Sequence, residues 1–265
     1  MSHVEEIQRR FGAAAADYAS SPVHAKGYSL GRLVELVEPQ PEWRVLDVAT
    51  GAGHTALAFA PHVTTVAATD LTFEMLVQTR RLAAERGVRN AVAVQNDAQR
   101  LPFGTGRFDL VTCRIAPHHF PDIGAFVLEA ARVLRPGGLL AVADNVVPDT
   151  HLRGKKRRLA DDAAAYINAF EALRDPGHVR ALGVKAWQQH FTAAGLRLLQ
   201  SETFRKEIDF EPWVARMRVP DADRLRLRAM LQQAPDLVSA TLTPQIANDR
   251  ITFWLMEAIL IGRKE

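Results

Sequence analysis

Arg44-Val-Leu-Asp-Val-Ala-Thr-Gly-Ala-Gly-His54 is the stretch that decides how the rest of the chain is interpreted. Its first half is a short apolar run typical of a buried strand, and Thr50-Gly-Ala-Gly53 interrupts that run. Helix-forming residues follow as far as Pro61, so the stretch predicts a strand, a glycine loop and a helix. The first turn of such a helix exposes backbone N–H groups, and glycines let a ligand approach them closely. The loop is therefore a candidate nucleotide cradle, with an ordinary β–α turn as the alternative.

Asp47 adds a second signal because it lies inside the apolar strand, four residues before Gly51. A buried carboxylate needs hydrogen-bond donors. Near a glycine loop those donors are loop amides and the ammonium group of a ligand, whereas a phosphate-binding loop suits an additional negative charge poorly. The pattern therefore favours S-adenosylmethionine (SAM), which carries the ammonium group of an amino acid, over NAD.

Length and composition are those of an ordinary globular protein. The 265 residues are 48% hydrophobic and 24% charged, and the net charge of +3 does not by itself indicate a nucleic-acid partner. The single cysteine, Cys113, excludes an intramolecular disulfide and a multi-cysteine metal site. The charged N-terminus lacks the apolar core of a signal peptide, and no stretch approaches the ~20 apolar residues of a membrane span. We therefore expect a cytoplasmic protein with neither membrane insertion nor a nucleic-acid partner.

After the glycine loop, short apolar runs alternate with helical segments. The predicted strands cover 63–68, 88–94, 108–115 and 139–147, and the predicted helices cover 73–86 and 125–134. Such alternation implies right-handed crossovers and a mainly parallel sheet, with the ligand outside the carboxyl ends of the strands. Asp47, Asp70, Asp97 and the loop 114–119 should then converge on one edge of the sheet.

The segments on either side complete a division of the chain into three parts. We predict that 1–43 form an N-terminal helical lid with helices at 5–17 and 29–37, that 44–148 form the core, and that 149–265 form a helical substrate insert with C-terminal strands. Within the lid, Phe11 to His24 is predicted to close over the ligand site, with a surface loop before the core as the alternative. In the last of the three parts we predict helices at 151–170, 184–194 and 211–237, the last broken by Pro220, and strands at 196–210 and 250–261. We expect the last two strands to form an antiparallel pair at the edge of the sheet.

Five motifs, in this order, resemble those of the class I SAM-dependent methyltransferases, and especially the subgroup with the ubiquinone and menaquinone C-methyltransferases. They are Val45-Leu-Asp-Val-Ala-Thr-Gly-Ala-Gly53, Asp70-Leu-Thr-Phe-Glu-Met-Leu76, Asn96-Asp-Ala-Gln-Arg-Leu-Pro-Phe103, Phe108-Asp-Leu-Val111 and Leu134-Arg-Pro-Gly-Gly-Leu139. Ala49 departs from the pattern, which usually has its first glycine there. The resemblance implies an α/β Rossmann-like fold, with a seven-stranded sheet of order 3-2-1-4-5-7-6, strand 7 antiparallel and helices on both faces.

The resemblance also implies which residues bind SAM. The glycine loop and Asp47 should hold the methionine end, Asp70 the ribose hydroxyls, and Asp97 the adenine amino group. Leu71 and Met75 should pack on the adenine, which Ala98 contacts through its backbone, and Arg114 should line the carboxylate side of the pocket. The implied set is Asp47, Ala49, Thr50, Gly51, Gly53, Asp70, Leu71, Met75, Asp97, Ala98 and Arg114.

A general base is needed only if the methyl acceptor holds a proton at the attacking atom. His118 and His119 are the candidates, with Tyr18 and His24 behind them, and simple packing of the loop is the alternative role. We expect no metal site, because neither an acid nor a cysteine accompanies these histidines at ligand spacing.

The predicted function is thus SAM-dependent methyl transfer to a small-molecule acceptor, and a homodimer is compatible with it. Three alternatives stay open at this point. Gly51-Ala-Gly53-His-Thr-Ala56 also fits the relaxed fingerprint of an NAD-dependent dehydrogenase. A nucleic-acid methyltransferase would be expected to have an Asn/Asp-Pro-Pro-aromatic loop where this chain has Arg114-Ile-Ala-Pro-His-His-Phe120. A catalytically silent SAM-binding protein would keep the same cofactor residues.

Overall fold

The computed structural model describes residues 3–20, 25, 27–151, 153–247 and 250–265. Within those ranges the helices are α1 (His3–Ser20), α2 (Tyr28–Val37), α3 (His54–Phe59), α4 (Phe73–Glu85), α5 (Ile123–Val133), α6 (Lys155–Arg174), α7 (Val184–Ala193), α8 (Phe210–Arg216), α9 (Asp221–Gln232) and α10 (Asp236–Leu242). None of these helices is long and apolar enough to cross a membrane.

One mixed sheet contains all the strands of the described chain. They are β1 (Arg44–Val48), β2 (Thr65–Asp70), β3 (Ala91–Gln95), β4 (Phe108–Arg114), β5 (Leu134–Val146), β6 (Leu196–Asp209), β7 (Gln245–Ala247) and β8 (Arg250–Lys264). The order is β3-β2-β1-β4-β5-β8-β6, and β7 pairs with β8. Strands β1 to β5 pair in parallel, whereas β8 runs antiparallel to both β5 and β6. The predicted order with an antiparallel last strand is confirmed, since β8 is strand 7 of the prediction.

The central strands are buried because helices cover both faces of the sheet. Every residue of β4 is buried, as are four of the five residues of β1, which is typical of parallel strands that face two layers of helices. On one face Phe126 of α5 and Trp187 of α7 pack against the sheet, and on the other face Leu33 of α2 and Phe59 of α3 do so. The two apolar layers hold the carboxyl ends of β1, β2 and β4 in fixed positions at one edge.

The C-terminal part differs from the prediction in how its helices are divided. The helical stretch predicted over 211–237 with a break at Pro220 is three helices, α8, α9 and α10, because Pro235 as well as Pro220 directly precedes a new helix. These helices and α6 pack around Phe170, Trp213 and Phe253 in a separate apolar cluster. Strand β7, of three residues, was not predicted. The division of the chain at residues 43 and 148 stays a prediction.

Candidate functional site

The loop between β1 and α3 turns sharply around three residues with positive φ. Ala49 has φ 52°, Gly51 55° and Gly53 90°, the left-handed region that glycine adopts without strain. A Cβ on Gly51 would meet no atom within 4 Å, so the loop backbone is open to the space above it. A Cβ on Gly53 would instead lie 2.7 Å from a methyl group of Thr79, so this glycine lets α3 approach α4.

Asp47 lies beneath the loop, 1% exposed, and accepts three hydrogen bonds from the protein itself. The donors are the hydroxyls of Thr50 and Thr112, at 2.5 and 2.6 Å, and the backbone N–H of Ala56 at 3.1 Å. Burial raises the pKa of the carboxyl to about 6, against the lowering effect of these bonds. No loop amide is among these donors, contrary to the prediction: the loop contributes the hydroxyl of Thr50, and the one backbone donor belongs to α3. The contacts hold the loop against β1 and β4.

A cavity of about 390 Å³ opens above the glycine loop, at the carboxyl ends of the strands. Twelve of the fourteen predicted site residues line it: Tyr18, Ala49, Thr50, Gly51, Asp70, Leu71, Met75, Asp97, Ala98, Arg114, His118 and His119. Asp47 and Gly53, which the resemblance implies hold the methionine end of SAM, are not among the lining residues and support the loop from behind. The lining residues meet at one edge of the sheet because β1, β2 and β4 run parallel, so that their carboxyl ends lie side by side.

Asp70, the last residue of β2, connects the loop to the next turn. Its carboxylate accepts hydrogen bonds from the backbone N–H groups of Gly51 and Thr72, at 2.8 and 2.9 Å. Burial raises its pKa. A carboxylate has about four lone-pair sites, so further sites remain for hydroxyl donors of a ligand. Nearby, the Oδ1 atom of Asn96 is buried at the cavity wall, with no hydrogen-bond partner in the described part of the chain.

Arg114, at the end of β4, supplies a buried positive charge on the opposite side of the loop. Its side chain donates to the hydroxyls of Thr55 and Ser29, at 3.1 and 3.3 Å, so α3 and α2 fix its position. Burial lowers the pKa of the guanidinium. A guanidinium held by neutral hydroxyls at a cavity wall is suited to binding a carboxylate.

His118 and Asp144 form a buried pair at the inner wall of the cavity. Asp144 Oδ1 lies 2.6 Å from His118 Nδ1, and Asp144 Oδ2 accepts the backbone N–H of His118 at 2.9 Å. Burial lowers the pKa of His118 to about 4 and raises that of Asp144 to about 8. Both shifts disfavour charge, so the pair shares a proton without net charge near neutral pH. Nε2 is the ring nitrogen that Asp144 does not engage.

Asp144 was not among the predicted site residues, although its sequence position carries a signal. Asp144 interrupts the apolar run of the fifth predicted strand, as Asp47 interrupts that of the first. A carboxylate inside an apolar strand needs a partner, and here the partner is the loop histidine.

His119 and Tyr18, the other two catalytic candidates, have different surroundings. His119 Nδ1 lies 2.9 Å from the carbonyl oxygen of Gly177, and burial lowers the pKa of this histidine to about 4. Burial raises the pKa of Tyr18 to about 12, so its hydroxyl stays protonated near neutral pH and suits a donor rather than a base. Tyr18 is therefore the least suited of the three to accept a proton, and His118 is the histidine whose ring a carboxylate contacts.

Helix α1 lies across the mouth of the cavity. Ile7, Phe11 and Tyr18 line the cavity from this helix, and the ring of Phe11 packs edge-on against His119 with centroids 5.0 Å apart. Gln8 donates to the carbonyl oxygen of Leu71 at 3.1 Å, next to the predicted adenine contacts. The predicted covering segment continued to Pro22 and His24, which lie outside the described residues.

The remaining wall comes from the C-terminal half of the chain, where no sequence motif pointed to a site. Its polar and aromatic members include Asn145, Glu171, Arg174, Lys206, Trp213 and Arg216. Only the packing of α6, α8 and β6 brings them together. Among the residues that the structure describes, no cluster of three or more His, Cys, Asp or Glu side chains could hold a metal ion.

Comparisons with known proteins agree with this arrangement. A family model described as a methyltransferase domain matches residues 45–138. YcgJ of Bacillus subtilis strain 168, an uncharacterized methyltransferase, is 33% identical over 96% of this chain and 97% of its own length. The demethylmenaquinone methyltransferase of Thermus thermophilus is 39% identical over 43% of this chain and 52% of its own length.

Solved structures of similar proteins share the fold of this chain. The BH2331 protein of Bacillus halodurans C-125 superposes with a TM-score of 0.83 and 35% identity, covering 90% of this chain and 99% of that one. The structure of YcgJ superposes with a TM-score of 0.82 and 34% identity, covering 90% and 98%. The comparisons give no support to the dehydrogenase alternative.

Proposed function

The chain belongs to the class I methyltransferase family, and on this premise we propose that it transfers a methyl group from SAM to a small-molecule acceptor. The observation that carries the proposal is that one cavity has residues suited to binding SAM on one side and a candidate general base on the other. The glycine loop and Asp70 form one side, and the His118–Asp144 pair forms the other.

The residues of the first wall fit SAM. Asp70 retains lone pairs for the ribose hydroxyls, and Arg114 offers a buried guanidinium to the methionine carboxylate. Leu71 and Met75 line the side where the adenine would pack, and the buried Oδ1 of Asn96 lacks a donor among the described residues. The open backbone above Gly51 leaves room for a ligand to approach the loop closely.

When bound, SAM supplies a methyl group on a sulfonium, which is a good leaving group, so positioning of the acceptor can contribute much of the rate. His118 acts as the general base where the attacking atom of the acceptor holds a proton. Asp144 fixes the imidazole so that Nε2 takes that proton once the pair has lost its own. Helix α1 reduces the access of water to the cavity.

A small-molecule acceptor suits the enclosure of the cavity. Helix α1 covers one side, and α6 and α8 cover another, so the volume of about 390 Å³ suits compact ligands. A macromolecular substrate would need the cavity to open to a wide surface. The buried thiol of Cys113 is compatible with the reducing cytoplasm that we propose as the setting.

Two measurements test the proposal. Calorimetry should show binding of both SAM and S-adenosylhomocysteine, and failure of both ligands to bind would overturn the function. A methyl-transfer screen over phenols, quinones and amines, read as release of S-adenosylhomocysteine, then identifies the acceptor. A protein that binds SAM but transfers its methyl group to none of these classes would point instead to a silent SAM-binding role.

A further inference from the structure

Two arginines face the cavity from the side opposite the glycine loop. Arg174 lies in the last turn of α6 and Arg216 in the last turn of α8, so each guanidinium extends from the negative end of a helix dipole. Neither arginine was predicted as a site residue, because the two are more than forty residues apart in the chain and belong to no motif.

Arg174 is held in one orientation by Trp213. Its Nε donates to the carbonyl oxygen of Trp213 at 3.2 Å, and its guanidinium lies over the indole ring, 4.8 Å from the ring centroid. Trp213 is itself buried and stacks on Phe170 with centroids 5.1 Å apart. The guanidinium is therefore preorganised, and its one ion pair among the described residues is with Glu171, whose carboxylate lies 4.0 Å from Nη1.

Arg216 has no such partner. Among the residues that the structure describes, none hydrogen-bonds to it or forms an ion pair with it. Burial, and then the neighbouring charge of Arg174, lower its pKa, so the two guanidiniums are close enough to repel each other. Partly buried like charges are unfavourable unless an anion lies between them.

The other charged groups of this wall already have contacts of their own. Asp175 accepts the backbone N–H of Gly177 at 2.9 Å, Asp209 pairs with Arg250 at 3.0 Å, and Lys206 pairs with Glu257 at 3.1 Å. Glu207 also lines the cavity but is exposed, and burial raises the pKa of Glu171, which weakens its negative charge. Asp175 is in no ion pair among the described residues, so besides Glu171 it is the one buried carboxylate of this wall left to balance the two guanidiniums.

We propose that the methyl acceptor carries an anionic oxygen group, a carboxylate or a phosphate, that binds between Arg174 and Arg216. This inference rests on the function proposed above and names the class of its substrate. The planar fork of a guanidinium matches such groups with two parallel hydrogen bonds. The apolar side chains of Trp213, Phe11 and Ile7 line the same cavity, so the body of the acceptor is apolar or aromatic.

Direct binding of simple probes tests this inference without the unknown substrate. We would measure dissociation constants by calorimetry for 4-hydroxybenzoate, phenyl phosphate and the uncharged 4-hydroxybenzamide. The wild-type protein should bind at least one anion about tenfold more tightly than the amide, because hydrogen bonds to charged groups are the stronger ones. The comparison of the two anions separates a carboxylate acceptor from a phosphate acceptor.

Arg216→Ala should remove this preference, and Arg174→Lys should weaken it while keeping the charge. Arg218→Ala is the matched control, because Arg218 is also an arginine of this segment but is mostly exposed and pairs with Asp17 at 4.0 Å. Equal affinity for anion and amide in the wild type, or equal effects of Arg216→Ala and Arg218→Ala, would overturn the inference. S-adenosylhomocysteine affinity, measured in the same samples, reports separately on the proposed methyl transfer, so the two failures are distinguishable.

Discussion

Asp144 determines which nitrogen of His118 carries a proton, because its carboxylate contacts both the ring and the backbone of that residue. Burial raises the pKa of Asp144 to about 8. Below that pH the pair retains a proton between Oδ1 and Nδ1, and Nε2 cannot act as the base. We therefore expect kcat to rise with pH up to about 8.

Asp144→Asn should lower kcat by about 10²–10⁴-fold and abolish this rise, since the amide can donate to Nδ1 and place the ring proton on Nε2. Affinity for S-adenosylhomocysteine should stay unchanged, and Asp161→Asn, at an exposed position, serves as the control. The assay is the pH profile of the methyl-transfer rate with the acceptor from the screen. An unaltered profile in the variant would show that the pair is not the base.

Ala49 is strained, because its φ of 52° lies in the region that costs a residue with a Cβ about 1–2 kcal/mol. Ala49→Gly should stabilise the fold by up to about 1 kcal/mol, since the entropy of glycine in the unfolded chain offsets part of the relief. Urea denaturation measures the change. Ala52→Gly, in the same loop but outside the left-handed region, should destabilise, and the same sign for both variants would contradict the strain argument.

At the scale of elements, α1 covers the predicted adenine side through few polar contacts, of which Gln8 to Leu71 is one. We expect α1 to open for ligand exchange and to close over a bound ligand. At a hundred times the dissociation constant of S-adenosylhomocysteine, amide exchange in residues 3–20 should slow by up to about 100-fold.

Helix α7 provides the internal control for this hydrogen-exchange measurement. It packs on α5 and β6 away from the cavity, so its amides should respond to the ligand less than those of α1. Equal protection of α1 with and without the ligand would show that this helix is fixed in place rather than a mobile cover.

The elements between residues 44 and 148 were predictable because each strand and helix there has its own apolar pattern and a motif at its end. The site half that they form, from Thr50 to His119, was predictable for the same reason. The other half was not, since Arg174 and Arg216 lie on helices whose sequences show only ordinary amphipathic patterns. Their meeting depends on how α6 and α8 pack around Trp213, which no local pattern encodes.

At the scale of the whole molecule, the cavity joins α1, the sheet edge and the C-terminal helices, so a ligand bound there should stabilise the entire fold. Saturation at a hundred times the dissociation constant contributes about 2.7 kcal/mol. For a chain of this size we expect S-adenosylhomocysteine to raise Tm by about 5–10 °C. NAD at the same concentration is the control, and a larger shift with NAD than with S-adenosylhomocysteine would favour the dehydrogenase alternative.

The position of β8 has a consequence for how the chain is made. β8 lies between β5 and β6 in the sheet, yet it is synthesised after both, roughly 100 residues beyond the end of β5 at Val146. At about 5–20 residues per second, the ribosome takes about 5–20 s to cover that distance. During that interval the apolar β5 has an unpaired hydrogen-bonding edge on the nascent chain, open to pairing with other nascent chains. Rapid translation of the segment between β5 and β8, or a chaperone bound to β5, would therefore raise the yield of folded protein.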